Sequence, residues 1–162
     1  MENMSQEPAV LRDDINNALK EAMKAKDERR VSTLRLVNSS LKNADIEARG
    51  AGKQPLSYDE ILGVLQKMIK QRQESVELYQ KGGRPELAKQ EQEEIDLISA
   101  YLPKQMSDLE AGSAIAQLVH EINAQTMKDM GRVMATLKER YAGKLDFTKA
   151  SAAVKKVLSG GA

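Results

Sequence analysis

From Leu11 to Leu158 the apolar residues recur at intervals of three and four, and no stretch shows the strict period-two alternation of a half-buried strand. A chain with that pattern folds by laying helices against one another. The aromatic complement narrows the core further: one Phe, four Tyr and no Trp leave Leu, Ile, Val, Met and Ala to fill it. The expected fold class is all-α, with long helices in an amino-terminal multi-helix domain and a small three-helix domain after it.

The punctuation of the chain sets the elements. Residues 1–10 read as a disordered leader, and a first helix opens near Leu11 with Ile15, Ala18, Leu19, Ala22 and Met23 inward. Asp27 is a good N-cap for a second helix, or marks a kink, in a segment running to Arg49. Its main stripe is Val31, Leu34, Val37, Leu41, Ala44 and Ala48; Leu36 and Ile46 lie off that stripe, which predicts packing on a second side. Gly50 to Pro55 form a loop, and Ser57 caps a third helix that Gly82 and Gly83 stop. Pro85 suits the first turn of a fourth helix continuing to Pro103, the expected boundary between domains 11–102 and 103–162. Beyond it, Ser107 with Glu110 forms a capping box. Two short helices follow, one ending at Gly143 and one capped by Asp146.

Net charge is only +1, from 25 basic and 24 acidic residues, but the distribution is uneven. Residues 1–102 hold 16 basic and 18 acidic groups, whereas 103–162 hold 9 and 6. From Thr126 onward, Lys128, Arg132, Lys138, Arg140, Lys144, Lys149, Lys155 and Lys156 face only Asp129, Glu139 and Asp146. These eight are the candidate nucleic-acid contacts, as phosphate-binding or simply solvated cations. A second basic flank, Arg35, Lys42 and Arg49, recurs every seven residues on the second helix, with Lys53, Lys67 and Lys70 as extensions of that edge.

Catalytic constellations are harder to find. With no Cys and a single His, His120, there is no thiolate site and no paired-imidazole site; a lone helical His is ordinarily a surface residue. Glu86, Glu91, Glu93, Glu94 and Asp96 offer paired carboxylates, but the stronger reading is internal ion pairing with Arg72 or Arg84. No phosphate loop, nucleophile elbow or HExxH sequence is present. No catalytic residue, metal or cofactor is assigned. No apolar run approaches the roughly 20 residues of a membrane span, so neither a membrane partner nor a targeting segment is expected, and the expected compartment is the cytoplasm.

Five strings carry a resemblance: ArgArgValSerThrLeuArgLeu (29–36), LysGlnArg followed by Ser75, Glu77 and Tyr79, GlyGlyArgProGluLeuAla (82–88), AlaTyrLeuProLysGln (100–105) and AspMetGlyArgValMet (129–134). Together they resemble the GatB/YqeY family, small stand-alone relatives of the tail region of the B subunit of tRNA-dependent amidotransferases. The resemblance implies an all-helical protein with a three-helix tail. In the full amidotransferase, a glutamine-dependent carbon-nitrogen ligase, the tail contacts the outer corner of tRNA while distant domains carry the chemistry. It marks Asp129, Met130, Gly131 and Met134, and the turn at Gly143 and Lys144, as motif residues; Ala135 departs from a position often Gly in the family. The B subunit's catalytic cradle is absent, so the isolated chain is not expected to transamidate unaided. The implied function is a non-catalytic tRNA-binding accessory module. The alternative is a helical adaptor for a protein partner such as an amidotransferase subunit or an aminoacyl-tRNA synthetase.

Overall fold

The computed structural model describes residues 7–53 and 55–160, and among them the regular structure is helical throughout. Two compact units divide the chain, one ending at Pro103 and the other beginning at Lys104.

Unit one holds α1 (Pro8–Lys24), α2 (Glu28–Gly50), α3 (Tyr58–Lys81) and α4 (Pro85–Ser99). Helix α1 begins at Pro8, so Pro8, Ala9 and Val10 are helical where a disordered leader is expected; the remainder of that leader, residues 1–6, lies outside the described residues. A proline in the first turn lacks only an N–H that has no intrahelical partner there, and its fixed φ favours the helix. Asp27 caps α2 by accepting the Arg30 N–H at 3.2 Å. Ser57 and Glu60 cap α3 reciprocally, each side chain accepting the other's backbone N–H at 3.1 Å. Gly82 closes α3, and Gly83, at φ +72°, reverses the chain so that α3 and α4 pack as a hairpin.

Ile15 of α1, Leu34, Val37 and Leu41 of α2, Ile61, Leu62 and Leu65 of α3 and Ile98 of α4 form the fully buried centre of this unit. Each such side chain contributes about 1.5–3 kcal/mol of apolar transfer energy. The helix expected to run to Pro103 stops at Ser99; the chain turns there, with the Tyr101 and Leu102 N–H groups donating to the carbonyls of Ile98 and Ser99. Leu36 and Ile46 are 45% and 60% exposed, so α2 does not pack on that second side within its unit.

Unit two holds α5 (Asp108–Glu121), a 3-10 turn at Met127–Asp129, α6 (Met130–Tyr141) and α7 (Phe147–Leu158). Each helix packs on the other two, around Ile115 and Leu118 from α5, Val133 and Leu137 from α6 and Val154 from α7. Met130 and Met134 pack half-buried against that core. The Ser107–Glu110 capping box starts α5, and Asp146 starts α7 by accepting the Thr148 and Lys149 N–H groups.

Candidate functional site

The basic residues of unit two divide into two sorts. Both arginines are engaged inside the unit. Arg140 forks onto Glu121, donating from its two terminal nitrogens at 2.9 and 2.7 Å, and so ties α6 to the end of α5. Arg132 donates to the Ile122 carbonyl at 2.9 Å and to Asp129 at 3.0 Å, bridging the α5 terminus and the α6 entry. Both of these expected phosphate contacts already hold intramolecular partners at the surface of the unit.

Asp129 organises that entry. Its carboxylate accepts the Gln125 and Thr126 backbone N–H groups at 2.8 and 3.2 Å. These two donors, followed by the Arg132 guanidinium, hold its pKa down to about 2. The motif aspartate is therefore an architectural group in this fold. Gly131 follows it on the surface, and a Cβ there would meet nothing within 4 Å. No neighbour within the fold requires a glycine there. Gly143 is different: it is buried, with φ +77°, and its carbonyl accepts the Gln105 side-chain amide at 2.5 Å. The Met106 N–H donates to the Lys144 carbonyl beside it, which pins the start of unit two to the α6–α7 turn.

The lysines behave otherwise. Lys128, Lys138, Lys144, Lys149, Lys155 and Lys156 are all exposed, and among the described residues none has a carboxylate within ion-pair distance. The reason lies partly with the acids: Glu110 and Asp146 cap helices, Glu121 holds Arg140, and Asp129 closes the α6 entry. On α7, Lys149 and Lys156 are seven apart and share the outward line opposite the buried Ala150, Val154 and Leu158. Lys155 stands to one side of that line and Val157, 45% exposed, to the other. The 3-10 turn packs against α7 and carries exposed Lys128 and the 42% exposed Met127. Lys138 lies on α6, in line with Gly131.

The other candidates fall in unit one or carry no chemistry. Arg35, Lys42 and Arg49 all lie exposed on α2, as do Lys53 and Lys67 elsewhere in the unit. His120 is exposed on α5. The acidic run of α4 is an ion-pair cluster: Glu94 accepts from the Arg72 guanidinium at 3.0 Å with both side chains about 15% exposed or less, and Arg29 reaches Glu93 at 3.5 Å and Glu94 at 3.8 Å. Arg84 pairs instead with Glu86 at the surface. Burial first and the neighbouring Glu94 second push the Glu91 carboxyl up from its ordinary value. The part played by Arg29 was not foreseen; it sits at the start of α2, and only the packing of α2 on α4 brings it to Glu93. Among the described residues no three His, Asp or Glu side chains gather to hold a metal, and no helix is long and apolar enough to cross a membrane.

Comparison with known proteins gives the relatives of the chain. A family model described as Yqey-like protein matches residues 12–158. The protein named Altered inheritance of mitochondria protein 41, mitochondrial, is 37% identical in Eremothecium gossypii and 38% in Vanderwaltozyma polyspora, in each case over 52% of this chain and 44% of the relative. Its counterpart in Lachancea thermotolerans is 32% identical over 67% of this chain and 58% of the relative. The chain thus spans less than two thirds of the length of these curated relatives.

Two expectations fall with these names. The relatives are named for mitochondria, which overturns the cytoplasmic expectation; that expectation rested on composition and on a missing targeting segment, neither of which specifies a compartment. Nor do the names speak of tRNA, amidotransferase or carbon-nitrogen ligase activity, and the amidotransferase-related tRNA-binding assignment is withdrawn. The positive balance behind it includes two arginines already engaged within the fold. What the match over nearly the whole chain does establish is membership: this chain belongs to the family of YqeY-like proteins.

Proposed function

We propose that the chain is a helical docking module whose carboxyl-terminal unit holds an acidic surface of a protein partner. The observation that carries this reading is the set of exposed lysines on α7, Lys149, Lys155 and Lys156, none within ion-pair distance of a carboxylate among the described residues, beside exposed Val157. Lysine is a flexible point charge that pairs with carboxylates and phosphates alike, so the choice of a protein partner rests on the exposed apolar Val157 among the charges. Apolar side chains among the charges give a protein interface its desolvated centre. Kinship with the tail region of the amidotransferase B subunit is inferred from the sequence motifs alone and lends no activity to this reading.

A photo-crosslinking residue at position 156, compared with one at position 120, tests it in the host cell. The expected result is one protein adduct from position 156 that survives ribonuclease and disappears when Lys149→Glu and Lys155→Glu are added. A ribonuclease-sensitive adduct, or equal adducts from both positions, contradicts the reading.

A further inference from the structure

Helix α2 carries a second, uncovered stripe. Ser32, Leu36, Ser39, Asn43, Ile46 and Gly50 alternate in spacing of four and three, and all six are exposed. This is the spacing of the a and d seam along which two helices pack. With Leu36 and Asn43 at a, and Ser39 and Ile46 at d, the g positions are Arg35, Lys42 and Arg49. All three are exposed, and among the described residues none lies within ion-pair distance of a carboxylate. On the opposite flank Thr33 is buried within the unit, Ser40 half-buried and Glu47 exposed, so an arriving helix meets three cations on one side and a single carboxylate on the other.

We infer that the outer face of α2 docks an acidic amphipathic helix of another protein. The small seam residues Ser32, Ser39 and Gly50 allow close approach of a second backbone, Leu36 and Ile46 supply the apolar contacts, and Asn43 at an a position fixes register. Charge selects the occupant. An antiparallel second copy of α2 sets the cationic g rows against each other, and a parallel copy gains only Lys42 with Glu47, so a partner with Glu or Asp along its facing flank fits where a second copy does not. The seam belongs to unit one and is independent of the lysine group in unit two.

A synthetic four-heptad peptide with Ile at a, Leu at d and Glu at e and g is the probe, titrated into the full chain at low and high salt with amide shifts recorded. Binding is expected to perturb α2, to weaken with salt and to vanish in the Leu36→Asp, Ile46→Asp double variant. It should fall roughly tenfold in the Arg35→Glu, Lys42→Glu, Arg49→Glu variant, as three exposed pairs of about 0.3–0.5 kcal/mol each would give. All five positions are exposed, so unchanged helicity and melting check that the variants remain folded. A lysine-flanked control peptide should not bind. The inference is overturned by no binding at about 0.1 mM peptide, by equal binding of the control, by loss in Lys149→Glu, Lys156→Glu and not in the α2 variants, or by attachment of the chain to phosphatidylserine vesicles while the acidic peptide is inert.

Discussion

The two units are both helical, yet they use charge in opposite ways. Unit one draws one ion pair inward, Arg72 of α3 with Glu94 of α4, and Arg29 of α2 joins it from the surface through Glu93 and Glu94. Unit two keeps its pairs at the surface, with Arg132 and Arg140 fastening short helices end to end and its capping carboxylates committed to backbone N–H groups. The lesson is about availability. A count of basic residues does not measure a binding surface, because the architecture decides which of them remain free.

Core truncation should separate the units most strongly. Leu137→Ala removes a fully buried side chain from the shorter unit at a cost of about 2–5 kcal/mol, and a helical domain of that size has little margin. Amide exchange should show unit two unfolded with unit one protected, whereas Leu65→Ala should weaken unit one while leaving it folded. Next comes the ion-pair contrast. Arg72→Ala leaves Glu94 half-buried without its closest cation and should lower the stability of unit one by about 2 kcal/mol in denaturant titration. Arg140→Ala, at a surface pair, should be close to the limit of detection in unit two. Equal effects would erase the distinction between inward and outward charge.

Two glycines sharpen it further. Gly143→Ala forces a side chain into the left-handed region and should cost about 1–2 kcal/mol. Gly131→Ala meets no neighbour and should stabilise α6 by up to about 1 kcal/mol, seen as a higher melting temperature. The smallest effect is in pH dependence. Asp129 titrates at about 2 in the fold against 3.8 ordinarily, so its contribution to unit two is present above the ordinary value and is lost as pH falls through about 2. Glu91 is shifted the other way, so its contribution to unit one is fullest in acid and is lost as pH rises through its raised value. Asp129→Asn should flatten the acid limb of unit two, and Glu91→Gln should stabilise unit one more at neutral pH than in acid.

Much of this fold is written in local sequence. Asp27, Ser57, Ser107 and Asp146 cap helices where a short polar side chain precedes an apolar period, because a cap needs partners only two or three residues away. Pro8 carries the same first-turn signal as Pro85, and α1 begins there. The site was less legible. Arg140 finds Glu121 nineteen positions back, and Arg132 finds the Ile122 carbonyl ten back, across a helix junction that no period encodes. Charge counting cannot tell these paired arginines from the exposed lysines. Leu36 and Ile46 misled for a related reason: apolar residues off the core stripe imply a second contact, but not that the contact lies in the same chain.

The most direct test of free lysines against engaged arginines is to capture the cross-linked partner from host cells with two charge-changing variants of unit two. Lys149→Glu, Lys155→Glu should abolish the protein adduct at position 156 while leaving the melting temperature of unit two unchanged. Arg140→Gln should leave the adduct intact. An adduct that survives the lysine reversals, or one lost with Arg140 alone in a folded chain, would contradict the account.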